Sequence, residues 1–136
     1  MQRLKTRPQF QAVLAGAIVA KTTHFALHRN ALDVRPASGP PGPPEKSSAL
    51  FAVQAMWIGA MVPKRWAKRA VTRNAIKRQI YAVSADFSDQ YPHAAFVVRL
   101  RRAFARTEFV SAVSDQLRLA VRAEIQALMQ AGAKAR

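Results

Sequence analysis

Lys64 to Arg78 reads KRWAKRAVTRNAIKR, and it follows directly on Ala49 to Val62, ALFAVQAMWIGAMV, with Pro63 between them. The apolar run is too short to span a membrane and too poor in charge to be a surface helix. It predicts a central strand buried on both faces. Gly59 in its middle suggests a bulge or a close backbone approach, and Pro63 ends it. The basic run leads into a helix reaching about Asp86. Ile76, Ile80, Val83 and Phe87 are spaced by four, three and four, which makes a core-facing stripe. Arg73, Asn74, Lys77, Arg78 and Tyr81 fall in another sector, centred roughly 130° away at about 100° per residue. A buried strand feeding an amphipathic helix is the signature of a sheet with helices packed on it.

Seven of the fifteen residues from Lys64 to Arg78 are Lys or Arg, and no acidic residue occurs between Glu45 and Asp86. Arg69, Arg73 and Lys77 stack at i, i+4, as do Asn74 and Arg78. Like charges so placed destabilise an isolated helix by a few tenths of a kcal/mol per pair, about 0.2–0.5. A solvated face usually alternates signs; this one is kept for a polyanion.

Working outward, Thr6 caps a short helix with Pro8 in its first turn, Phe10, Val13, Leu14 and Ala17 on one face, and Gly16 near its end. Ile18 to Leu32 reads as strand. His24, Ala26 and His28 take one face and Phe25 and Leu27 the other; two His four apart on a strand lie roughly 13 Å apart, too far to share an ion. Residues 34–48 contain PASGPPGPP and five of the eight prolines, which makes them a loop. Ser88 to His93 is a turn. Ala94 to Arg102 is a strand with Phe96, Val98 and Leu100 on one face and Arg99 and Arg101 on the other. Thr107 caps a last helix whose stripe is Val110, Val113, Leu117, Val121, Ile125 and Leu128.

The fold expected is therefore α+β, a small two-to-three-layer sandwich in which a mixed sheet of about four strands carries three helices, in the order α-β-β-β-α-β-α. At 136 residues the chain is one domain. Half its residues are hydrophobic and its net charge is +15, so it is neither a disordered basic tail nor neutral towards nucleic acid. It has no cysteine, which excludes disulfides and thiolate metal sites. Gln9 and Gln11 interrupt any signal-peptide core, and a cytoplasmic protein without a membrane span is expected. No HExxH, Gly-rich phosphate loop or carboxylate cluster is present, so no catalytic or metal residue is assigned; Asp86 and Asp89 read as surface or capping groups at a helix end.

KRAVTRNAIKR, with Arg73-Asn74 followed by Lys77-Arg78, resembles the signature of the protein component of bacterial ribonuclease P. LKTRPQFQAVLAGA, HFALH, WIGAMVPKRW and AAFVVRLRRAF are similar to further segments of that family in the same order. The resemblance implies a sandwich like the second domain of ribosomal protein S5. It implies the small subunit of an endoribonuclease that removes the 5′ leader of precursor tRNA, with catalysis and Mg2+ held mainly by an RNA subunit. The partners implied are that catalytic RNA and precursor tRNA. Lys64, Arg65, Lys68, Arg69, Arg73, Asn74, Lys77 and Arg78 then bind RNA, and Phe10, Leu14, Phe25 and His28 line the leader cleft, where an aromatic platform contributes about 1–3 kcal/mol per stacked base. Tyr81 and Ala82 depart from the family, which commonly has a further Arg followed by Glu or Gln. Charge and fold alone admit an alternative: a non-enzymatic RNA-binding protein such as a ribosomal or ribosome-assembly factor.

Overall fold

A computed structural model describes residues 2–32, 55–102 and 115–134. The Pro-rich segment, Ala49 to Gln54 and the segment with Thr107, Val110 and Val113 lie outside the described residues. The elements run β1 (Gln2–Arg3), α1 (Arg7–Leu14), β2 (Ala17–Lys21), β3 (Phe25–Asn30), β4 (Trp57–Met61), α2 (Ala70–Phe87), a 3-10 turn (Ser88–Gln90), β5 (Ala95–Leu100) and α3 (Asp115–Lys134). They form one five-stranded sheet in the order β1-β4-β5-β3-β2. β4 is parallel to both neighbours, while β3 is antiparallel to β5 and β2.

The sheet has one strand more than expected. β1 is two residues long, too short for any period to show, and is held by Gln2 N–H to the Met56 carbonyl (2.8 Å) and Leu4 N–H to the Ile58 carbonyl (2.9 Å). The strand expected over Ile18 to Leu32 is a hairpin. Its tip is fastened to α3 by one carboxylate: Glu124 accepts from Thr22 Oγ1 at 2.6 Å and from the His24 N–H at 2.7 Å, and lies 2.7 Å from His24 Nδ1. His24 therefore belongs to the turn and faces α3.

α1 begins as its sequence dictates. The Thr6 side chain accepts from Gln9 N–H, and Gln9 Oε1 accepts in return from Thr6 N–H at 3.1 Å, a capping box that satisfies two of the orphan donors of the first turn. α1 covers one face of the sheet, with Leu4, Val13, Trp57, Ala95 and Val97 buried together. α2 and α3 cover the other, where Ile76, Ile80 and Val83 meet Leu117, Val121, Ile125 and Leu128 over Phe25, Leu27, Ile58, Phe96, Val98 and Leu100. The two apolar stripes expected from helical periodicity thus share one core, and β4 is buried on both faces. This is a three-layer sandwich.

Candidate nucleic-acid interface

The chain leaves β4 at Met61 and turns at once. Trp66 and Ala67 N–H groups both donate to the Pro63 carbonyl (3.0 and 3.1 Å), and Ala67 is buried. This turn brings Lys64, Arg65, Lys68 and Arg69 to the surface, all four exposed. The Arg65 guanidinium lies 5.1 Å from the centre of the Trp66 ring. Arg73, in the first turn of α2, reaches back: its Nη1 donates to the Ala67 and Lys68 carbonyls at 3.0 and 2.8 Å. One nitrogen thereby fixes the turn that carries Lys68 and Arg69, and the remaining guanidinium donors are left to other partners.

α2 starts without an acid. Arg69 is its N-cap and makes no side-chain cap hydrogen bond, and no acidic residue stands in the first turn. The positive end of the helix dipole therefore meets further positive charge, an arrangement relieved only by an anion. Along the same helix Asn74 and Arg78 are exposed and Lys77 is half-buried. Together with Arg3, Tyr81, Ala82 and Ala85 they line a groove of about 470 Å³. All eight basic-motif residues assigned from the sequence thus lie on the β4–α2 turn or on the part of α2 turned away from its buried stripe. Arg3 was not among them. Its guanidinium sits 4.2 Å from the centre of the Tyr81 ring, a neighbour that only the pairing of β1 with β4 reveals.

The residues assigned to a cleft divide between the two faces of the sheet. Phe10 and Leu14 of α1 are half-buried against the cluster of Val13, Trp57 and Val97. A Cβ at Gly59 would fall 2.7 Å from Phe10 Cε1 and 2.7 Å from Leu4 Cδ1, so the glycine is what lets the Phe10 ring lie on β4. This is the close approach anticipated for that position. His28 pairs across the ladder with Val97 and so shares the α1 face.

Phe25 does not. It is fully buried in the opposite core, under α2 and α3, because odd-numbered positions of β3 point there. Its assignment to the cleft is corrected. Burying a side chain of that kind contributes about 1.5–3 kcal/mol, which exposure to a ligand would forfeit.

His28 is only 6% exposed. Its Nε2 accepts from Arg99 Nε at 3.1 Å, so the ring proton is on Nδ1, which has no hydrogen-bond partner among the described residues. Burial, and then the Arg99 charge, hold the imidazole pKa below its ordinary 6.5. The ring is neutral at pH 7, and its Nδ1–H is buried. Arg99, half-buried beside it, was placed by the sequence only on the strand face opposite Phe96, Val98 and Leu100.

Among the described residues no three His, Asp or Glu side chains gather into a metal-holding group, and no helix is long and apolar enough to cross a membrane. Asp86 approaches Arg122 at 3.8 Å, with both side chains largely exposed, a pair of little energetic weight.

Three comparisons bear on this arrangement. The family model described as Ribonuclease P matches residues 1–124. Among solved structures, the RNase P protein of Staphylococcus aureus superposes with a TM-score of 0.64 at 18% identity, covering 99% of this chain and 97% of that chain. The RNase P protein from Thermotoga maritima gives a TM-score of 0.60 at 16% identity, covering 96% of each. Among curated proteins nothing matches.

Proposed function

The chain belongs to the ribonuclease P family, on the match over residues 1–124, and from that premise we propose a division of labour for its two surfaces. The β4–α2 turn and the outer face of α2 dock the catalytic RNA subunit: Lys64, Arg65, Lys68, Arg69, Arg73, Asn74, Lys77 and Arg78 meet its phosphates. The α1 side of the sheet takes the 5′ leader of precursor tRNA, with Phe10 and Leu14 as an apolar platform beside the buried His28. The observation that carries this reading is the acid-free cationic face of α2, set apart from the buried Ile76, Ile80 and Val83.

The chain's role in this scheme is positional. The hydrolytic chemistry and its Mg2+ belong, in this reading, to the RNA subunit, as the family resemblance implies. Magnesium there would supply an activated water and a charge clamp on the phosphate. What this chain contributes is positive charge where two RNA strands come together, which lowers their mutual repulsion. The reading also places the protein in the cytoplasm, where precursor tRNA is made.

The test mixes the protein, the catalytic RNA and a precursor tRNA at low magnesium. Leader cleavage should depend on the protein. Arg73→Ala should weaken assembly by about 1–3 kcal/mol through loss of a contact and of the turn it fixes, whereas Lys134→Ala on the exposed end of α3 should change little. Absence of stimulation by the wild-type protein overturns the proposal, and equal effects of the two substitutions would show that only bulk charge matters.

A further inference from the structure

We propose that Arg3, seated on the ring of Tyr81, completes a phosphate-binding notch with Lys77 and Arg78, so that β1 is part of the RNA-docking surface. This rests on the reading of α2 as that surface and adds to it a residue outside the basic motif.

The notch is built from the edge of β4. The Trp57 N–H points to β5, bonding the Ala94 carbonyl, so by alternation the Ile58 and Ala60 N–H groups point to the β1 side. β1 ends at Arg3, and Leu4 N–H makes its last bond to the Ile58 carbonyl. The Ala60 N–H is met instead by Tyr81 Oη at 3.3 Å. That bond pins a half-buried phenol between α2 and the sheet edge with one ring face turned to Arg3. The guanidinium lies 4.2 Å above the ring centre, held by the ring's negative face.

The same groove is lined by Asn74, Lys77 and Arg78. Three cations converge on it, and no acid lines it. The aromatic seat holds Arg3 in place without neutralising it, which leaves its in-plane donors for a ligand. The chemistry suited to three converging cations and an amide is a phosphodiester of the RNA backbone.

Binding of the catalytic RNA is measured against salt for Arg3→Ala, Arg3→Gln, Tyr81→Phe, Tyr81→Leu and the Arg3→Ala/Tyr81→Leu pair, with a thermal melt of each and Lys134→Ala as the charge control. Either substitution at Arg3 should weaken binding about five- to tenfold and reduce the log–log salt slope by about 1. Tyr81→Phe keeps the ring face but loses the Oη that pins it, so its binding should fall between that of the wild type and that of Tyr81→Leu. Tyr81→Leu should reproduce the Arg3→Ala loss, and the double variant should be no worse than either single one. Both Tyr81 variants should melt lower, because each leaves the Ala60 N–H without its acceptor; a merely structural Tyr81 would show that loss with the salt slope unchanged. Unchanged affinity and slope for both Arg3 variants overturns the inference, and so does additivity in the double variant. If Lys77→Ala and Arg78→Ala weaken binding while Arg3→Ala does not, this inference alone falls; if the wild-type protein does not bind the catalytic RNA, the reading of α2 falls with it.

Discussion

His28 shows how one side chain can be legible in type and illegible in state. The sequence places it on a strand face with Ala26, and the ladder agrees. What no pattern reveals is Arg99, donating to Nε2 from the neighbouring β5, or a site so enclosed that the charged imidazolium is disfavoured. Burial is the larger cause of the lowered pKa and Arg99 the smaller. In the unfolded chain the ring titrates near its ordinary 6.5. Between that value and the lower one of the fold, the unfolded chain binds a proton that the folded chain does not. Stability from this group is therefore full above pH 6.5 and is lost as the pH falls through the folded value. The melting temperature of the wild-type protein should fall between about pH 7 and pH 5, and His28→Leu should flatten that dependence even if it lowers the plateau. Calorimetry across that range decides it, and parallel curves for the two proteins would rule out a neutral buried His28.

At the scale of elements, what could be read depended on length and on who the partner is. α1 was legible as far as Leu14 because its cap, its Pro and most of its apolar face are local, but Ala17, counted on that face, belongs to β2. α2 was legible because eighteen residues carry a full apolar stripe and a separate basic face. β1 was not, since two residues have no period, and the β2–β3 hairpin was read as one strand because its turn is stabilised by Glu124, a hundred positions away. The same limit explains Phe25: alternation separates the faces of a strand but does not say which helix covers each. The contact between α1 and β4 is where sequence and structure agree most usefully, at Gly59. A methyl group there meets Leu4 and Phe10 at 2.7 Å, and both atoms are outer ends of side chains, so the ring gives way before the backbone does. Gly59→Ala should therefore displace Phe10 at a modest loss of stability, about 1–3 kcal/mol as for other overpacked sites. If Phe10 is a leader platform, precursor tRNA affinity should fall while affinity for the catalytic RNA stays unchanged. Equal loss of both would mean that the substitution acts through the fold as a whole.

The whole molecule carries +15, and its two dealings with salt should run in opposite directions. In the free protein the like charges of the β4–α2 turn and α2 repel one another across distances comparable to the Debye length, about 10 Å at 0.1 M. Raising the salt screens that repulsion, so the compact state gains. In the complex the same cations displace counterions from RNA, so raising the salt weakens binding. A protein whose basic face were merely solvated would show the first effect without a steep form of the second. If about six of these side chains reach phosphates, log affinity should fall with log salt at a slope of roughly 4 to 5, while the melting temperature of the free protein rises over the same interval. Titrating sodium chloride from about 20 to 300 mM, within the range where screening changes most, and following both readouts in one buffer separates the cases. A slope near one alongside a rising melting temperature would leave the charge without its RNA, and a falling melting temperature would show that the cations are already neutralised within the fold.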